Sequence, residues 1–100
     1  MASYRTESTE RLFEMIANLH TKEECCALFE DLCTIREIQS MAQRFDTAIL
    51  LSRGLRYQEI AEKVGISTAT ISRVSQCLLY GAGGYQTAID RMAETENIKE

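Results

Sequence analysis

Residues 57–76 decide the fold, and they read YQEIAEKVGISTATISRVSQ. Apolar side chains fall at helical spacing on both sides of Gly65, which predicts helices over about residues 57–64 and 68–79 joined by a tight turn. Two helices that cross at a wide angle need a small residue at the crossing, and Ala61 supplies it. The apolar residues for their buried faces are Ile60, Val64, Ile66, Ile71 and Val74. The pattern is typical of a helix-turn-helix whose second helix is capped by Ser67.

The second of these helices is predicted to expose short or polar side chains and a single cation. No lysine or acidic residue occurs between Lys63 and Asp90, whereas an ordinary solvated helix more often carries glutamate and lysine. Such a face suits a helix that enters a DNA major groove about 12 Å wide. The predicted contacts to double-stranded DNA are Gln58, Ser67, Thr68, Ala69, Ser72, Arg73 and Gln76.

The charge of the chain is unevenly distributed. The net charge is −4, which is unusual for a protein that binds nucleic acid. Residues 1–33 carry three basic and seven acidic side chains. Residues 34–77 carry six basic and four acidic side chains, and residues 78–100 carry two basic and four acidic ones. The middle segment is therefore the only positive one, and it could present a basic face to phosphates.

The remainder of the chain predicts four more helices, giving an all-α fold of six. The first covers about residues 6–19, and the second opens with a capping box from Thr21 to Glu24. A long third helix opens with a second box at Thr34 and stops at Gly54. A short sixth helix over about residues 85–94 follows the glycine-rich break at residues 81–84.

The apolar stripes of the first three helices are too broad for one small chain to hide, which predicts a homodimer. Residues 1–33 are therefore expected to form dimerisation helices. Residues 34–94 are expected to form the helix-turn-helix core, all within one domain. Residues 95–100 are expected to be a frayed acidic tail.

Neither the cysteines nor the lone histidine forms a recognisable catalytic or metal-binding pattern. Cys25, Cys26, Cys33 and Cys77 include no Cys-x-x-Cys pair and are expected to be reduced and buried. His20 has no serine or acid at the spacing of a catalytic set, so neither an enzyme nor a cofactor or metal site is expected. No apolar run reaches the ~20 residues of a membrane span, and no secretion signal is apparent, so a cytoplasmic location is expected.

From Thr34 to about Met92 the chain resembles the Trp repressor superfamily, and within it the TrpR-related YerC/YecD proteins of bacteria. The matching stretches are TIRE (34–37), QRF (43–45), LSRG (51–54), YQEIA (57–61), GISTATISR (65–73) and YGAGGY (80–85). The resemblance implies an all-α homodimer whose N-terminal helices interlock between subunits. It also implies a repressor-like transcriptional regulator that binds a palindromic operator.

The resemblance further implies a site for a small ligand. The Trp repressor holds the indole of L-tryptophan between two arginines, and the matching positions here are Arg44 and Arg73. Thr34 and Thr70 match further residues of that pocket. These four residues are the candidate ligand-binding set, and a small-molecule corepressor is left open.

The residues themselves allow another interpretation of this set. Arg44 could form an ion pair with Glu59 or Glu62, while the second arginine contacts phosphate. Two positions also differ from the repressor, because Val74 stands in place of a glycine and Cys77 in place of a serine. A β-branched side chain fills space that glycine leaves open, so L-tryptophan is not the expected ligand.

One alternative function remains open from the sequence. The acidic N-terminal third favours a helical protein-interaction module, which would contain the same helical hairpin but would not bind specific DNA. Such a module and a regulator differ in whether one DNA sequence is enriched among bound fragments.

Overall fold

The computed structural model describes residues 4–99, and its side chains are described from Tyr4 to Glu96. This range contains six α-helices and no strand, which confirms the predicted all-α class. They are α1 (Glu7–Ala17), α2 (Lys22–Leu32), α3 (Ile35–Ser52), α4 (Tyr57–Val64), α5 (Thr68–Tyr80) and α6 (Gly84–Lys99). In this described range, none of the helices has the length and apolar character needed to cross a membrane. The chain divides into two units between Ile38 and Gln39.

Hydroxyl side chains begin the helices of the N-terminal unit. Thr6 Oγ1 accepts the N–H of Thr9 at 3.2 Å, and the N–H of Thr6 donates to Thr9 Oγ1 at 2.8 Å. Thr21 Oγ1 accepts the N–H of Glu24 at 3.0 Å, as expected at the start of α2. The Glu24 carboxylate, however, accepts the N–H of His20 at 2.7 Å. The capping box predicted at Thr21 is therefore only half formed, because its carboxylate reaches one residue further back.

Gly54 ends α3 as the sequence predicted. Its φ of +85° lies in the left-handed region, which costs glycine little. The N–H of Gly54 donates to the carbonyl of Leu51 at 3.0 Å, and that of Leu55 donates to Leu50 at 3.2 Å. This pair of bonds is the Schellman motif, which satisfies carbonyls left free at the end of a helix.

The described core lies in the C-terminal unit, where α5 packs against both α4 and α6. Its fully or almost fully buried apolar residues are Ala48, Ile60, Ile71 and Val74. Thr47 is buried with them, and its hydroxyl donates to the carbonyl of Gln43 at 2.8 Å. The buried polar group is therefore satisfied within its own helix.

The N-terminal unit contains no buried side chain between Tyr4 and Ile38. The apolar stripes of the first three helices were expected to be too broad for one chain to hide, and Leu32 of α2 is 52% exposed. The cysteines were expected to be buried, yet Cys26 and Cys77 are exposed while Cys25 and Cys33 are half-buried. The expected burial of the cysteines was therefore wrong for a single chain.

The sixth helix is longer than the sequence predicted. It was expected to end near residue 94 and leave a frayed tail over residues 95–100, but α6 continues to Lys99. No glycine or proline interrupts residues 85–99, so no local signal stops the helix. The Thr95 hydroxyl also donates to the carbonyl of Arg91 at 3.0 Å, one turn earlier. Glu100 lies outside the described residues.

Candidate nucleic-acid interface

The turn between α4 and α5 is formed by Gly65, Ile66 and Ser67, as predicted. Gly65 has a φ of +80°, and its N–H donates to the carbonyl of Ala61 at 2.9 Å. Ser67 is the N-cap of α5, and its Oγ accepts the N–H of Thr70 at 3.2 Å. The helix-turn-helix prediction is confirmed, with α5 ending at Tyr80 rather than near residue 79.

The second helix of this motif has a buried face and an exposed polar face. Ile71 and Val74 are buried on one side. At about 100° per residue, the predicted DNA contacts of α5 cover an arc of roughly 140° on the opposite side. They are Thr68, Ala69, Ser72, Arg73 and Gln76, and all five are exposed. Ser67 at the N-cap and Gln58 on α4 are exposed as well.

The positive charges of the middle segment have no acidic partners. Between Tyr4 and Glu96 the one ion pair joins Arg5 to Glu10. Arg44 is therefore not paired with Glu59 or Glu62, and that interpretation was wrong. The exposed and unpaired cations of this segment are Arg36, Arg44, Arg53, Arg56, Lys63 and Arg73.

An open groove of about 470 Å³ lies between α3, α4 and α6. Apolar and charged side chains both line this cavity, which we call the charged groove. Its charged lining residues are Asp46, Arg53, Lys63 and Glu96, and its apolar lining residues are Ile49, Leu50, Val64 and Met92. Opposite charges thus share this groove, although no ion pair links them.

Two of the predicted ligand-binding residues have hydroxyls that are hydrogen-bonded at the starts of helices. Thr34 Oγ1 accepts the N–H of Glu37 at 3.1 Å, and Glu37 Oε1 accepts the N–H of Thr34 at 2.8 Å. These bonds complete the capping box predicted at Thr34. The Thr34 N–H and, to a smaller extent, the Thr34 hydroxyl lower the pKa of the Glu37 carboxyl, because hydrogen bonds to a carboxylate favour its ionised form. Thr70 Oγ1 lies 3.0 Å from Ser67 Oγ at the start of α5.

The two arginines of the predicted ligand pocket line neither of the two cavities described in the C-terminal unit. Arg44 and Arg73 are exposed and line neither the charged groove nor the cavity of about 390 Å³ beside Cys77. That cavity is lined by Cys77, Gly81, Ala82, Gly84 and Tyr85. Val74 is only 2% exposed, so its side chain fills space in the core that a glycine would leave open.

These features define a helix-turn-helix protein whose second helix exposes a polar face without acids. A family model described as Trp repressor protein matches residues 7–93. The chain belongs to this family.

Three relatives support the same assignment. The chain is 50% identical over 92 residues to the uncharacterised protein YerC of Bacillus subtilis (strain 168), covering 92% of this chain and 88% of YerC. A crystal structure of a TrpR-like protein from Eubacterium eligens ATCC 27750 superposes with a TM-score of 0.85 at 46% identity, covering 89% and 92% of the two chains. A crystal structure of a protein from Staphylococcus aureus, provisionally named as a Trp repressor, superposes with a TM-score of 0.84. The two chains are 43% identical, and the match covers 89% of each.

Proposed function

We propose that the protein is a sequence-specific transcriptional regulator that binds a palindromic DNA operator as a homodimer. The observation that carries this proposal is the exposed face of α5. It is polar, free of acidic residues and has one unpaired cation, Arg73, while the opposite face is anchored by Ile71 and Val74. Membership of the Trp repressor family supports the same function.

The two ends of that face are proposed to have different roles. Thr68 is the first residue of α5, and residues at this end of a recognition helix face base edges. Arg73 lies more than a turn later and has no acidic partner, so it is proposed to contact phosphate. The neutral side chains between them can exchange hydrogen bonds with DNA without adding charge.

Control by a small ligand is the less supported part of the proposal. The Thr34 hydroxyl caps α3, the Thr70 hydroxyl is hydrogen-bonded to that of Ser67, and Val74 fills core space that a glycine would leave open. The guanidinium groups of Arg44 and Arg73 are free, which leaves them available to a ligand or to phosphate.

Selection of bound genomic fragments, followed by sequencing, tests the proposed function. Enrichment of one palindrome is expected. Thr68→Ala should change which DNA sequence is preferred. The binding free energy should differ by about 1–3 kcal/mol for each base pair misread. Arg73→Ala should weaken all sequences alike and reduce the dependence of log K on log salt by about one unit per subunit. Gln86→Ala, an exposed change on α6, is the control and should alter neither property.

The same experiment distinguishes the alternative function. The exposed apolar side chains of α1 and α2 favour contact with another protein, so a protein-interaction module has some structural support. If no fragment is enriched even at low salt, that alternative replaces the regulator. If Arg73→Ala changes sequence preference but keeps the full salt dependence, Arg73 reads a base instead of contacting phosphate.

A further inference from the structure

The exposed face of α5 is short of positive charge for a DNA-binding surface. Arg73 is its only cation, and its other predicted contacts are neutral. Affinity for duplex DNA depends largely on how many phosphates the protein neutralises. The whole chain has a net charge of −4, which opposes approach to DNA at long range. A further cation near the helix-turn-helix would therefore strengthen DNA binding.

Three further cations, Arg53, Arg56 and Lys63, lie in α4 or within four residues of it, and two of them share a groove with acidic side chains. Arg53 and Lys63 line the charged groove together with Asp46 and Glu96. A phosphate entering that groove would meet two carboxylates as well as two cations. Neither position offers DNA a clear positive field, so neither is a good phosphate contact.

The third cation, Arg56, is free of such competition. It is exposed, has no ion pair, and does not line the charged groove. The nearest acid in sequence is Glu59, and its Oε1 accepts a hydrogen bond from the backbone N–H of Arg56 at 3.0 Å. The acid therefore caps the backbone and leaves the guanidinium unpaired. Arg56 lies two residues before Gln58, a predicted DNA contact.

Arg56 also opposes the stability of the helix that it begins. Four of the other five helix starts in the described chain are capped by hydroxyls, those of Thr6, Thr21, Thr34 and Ser67. Arg56 is the N-cap of α4 and provides no side-chain cap. A cation there is also repelled by the helix dipole. The fold alone does not account for arginine at this position.

We infer that Arg56 is a phosphate contact made by the first helix of the helix-turn-helix, retained at the expense of helix stability. The inference rests on the proposed DNA binding and adds a second anchoring cation to it. With Arg73 on α5, each subunit would neutralise at least two phosphates, one from each helix of the motif.

The test measures the binding of a mixed-sequence duplex, about three helical turns long, over a range of salt concentrations. Arg56→Ser removes the charge and supplies a hydroxyl cap, so the melting temperature should rise. The slope of log K against log salt should become shallower by about one unit per subunit. Arg56→Lys should keep most of the slope. Lys63→Ser, at the other end of α4, is the matched control and should leave the slope unchanged.

The possible outcomes separate this inference from the proposed function. An unchanged slope for Arg56→Ser overturns the inference alone. A lower melting temperature for Arg56→Ser overturns the claim that arginine is retained at the expense of stability. If the unaltered protein binds no duplex at any salt concentration, both the inference and the proposed function fail.

Discussion

At the residue scale, Val74 determines how much room the core leaves beside Arg73. Its side chain is 2% exposed and packs on the buried face of α5. The Trp repressor has a glycine at this position, so we expect the Val74 side chain to occupy space that a tryptophan indole would need. We expect isothermal titration calorimetry to detect no binding of L-tryptophan below millimolar concentration, and L-tryptophan to leave the melting temperature unchanged.

The role of Val74 can be examined separately from the ligand. Val74→Gly removes a buried side chain and places glycine inside a helix, so it should lower the free energy of unfolding by roughly 2 to 4 kcal/mol. Clear tryptophan binding by the unaltered protein below millimolar concentration would show that Val74 does not block the site.

Glu37 makes the start of α3 sensitive to acid. The N–H of Thr34 and, to a smaller extent, its hydroxyl lower the pKa of the Glu37 carboxyl. A lowered pKa in the folded state means that the contribution to stability is present above the ordinary glutamate pKa of about 4.3. This contribution is lost as the pH falls through the lowered pKa of Glu37.

Titration of the Glu37 carboxyl carbon by nuclear magnetic resonance should therefore give a pKa below that of an unstructured peptide containing the same residue. Glu37→Gln keeps the side-chain size but cannot ionise, so its stability should fall less between neutral and acidic pH. An equal loss of stability in both proteins would contradict this assignment.

At the scale of elements, the α4–α5 turn depends on the backbone freedom of Gly65. Its φ is +80°, while a Cβ added there would meet no atom within 4 Å. Gly65→Ala should therefore cost about 1–2 kcal/mol of stability through backbone strain alone, and it should weaken DNA binding by displacing α5.

Gly84 offers a matched control for that substitution. It is the first residue of α6, and a Cβ added there also meets nothing within 4 Å, but its φ is not in the left-handed region. Gly84→Ala should leave stability unchanged or raise it by about 0.4–1 kcal/mol. Chemical denaturation at one protein concentration measures both variants, and equal effects would exclude backbone strain as the cause.

At the scale of the whole molecule, the apolar side chains of the N-terminal unit predict a homodimer. Phe13 is 43%, Met15 50% and Ile35 74% exposed in the single chain. Exposed apolar surface of this extent marks a protein contact. We expect sedimentation to show a dimer at micromolar concentration and unfolding to depend on protein concentration. A stable, folded monomer under those conditions would refute the prediction.

Single substitutions on α1 make the dimer prediction sharper. Met15→Glu places a charge on the apolar face and should shift the protein towards monomer. Glu14→Gln lies on the opposite face of the same helix and should leave the dimer intact. Dimerisation would place two recognition helices about 34 Å apart, so the operator half-sites should be spaced by one DNA turn.

The sequence by itself determined where most helices begin and end. The sequence correctly predicted the capping box at Thr34, the end of α3 at Gly54 and the turn at Gly65. These features are predictable because caps and left-handed glycines depend only on residues three or four positions away. The exposed face of α5 was predictable for a similar reason, since helical periodicity relates each residue to its near neighbours. The end of α6 was missed because residues 95–99 contain no such local signal.

Only the tertiary structure decided which charges are free and which apolar residues are buried. Ile60, Ile71 and Val74 are buried, whereas Val64 and Ile66 are half-buried, although all five fit the same pattern. Arg53 shares a groove with Asp46, two turns earlier on α3, and with Glu96 of α6, while Arg56, three residues later, does not line it. Burial and ion pairing depend on neighbours contributed by other helices, and the spacing of residues along one helix does not specify those neighbours.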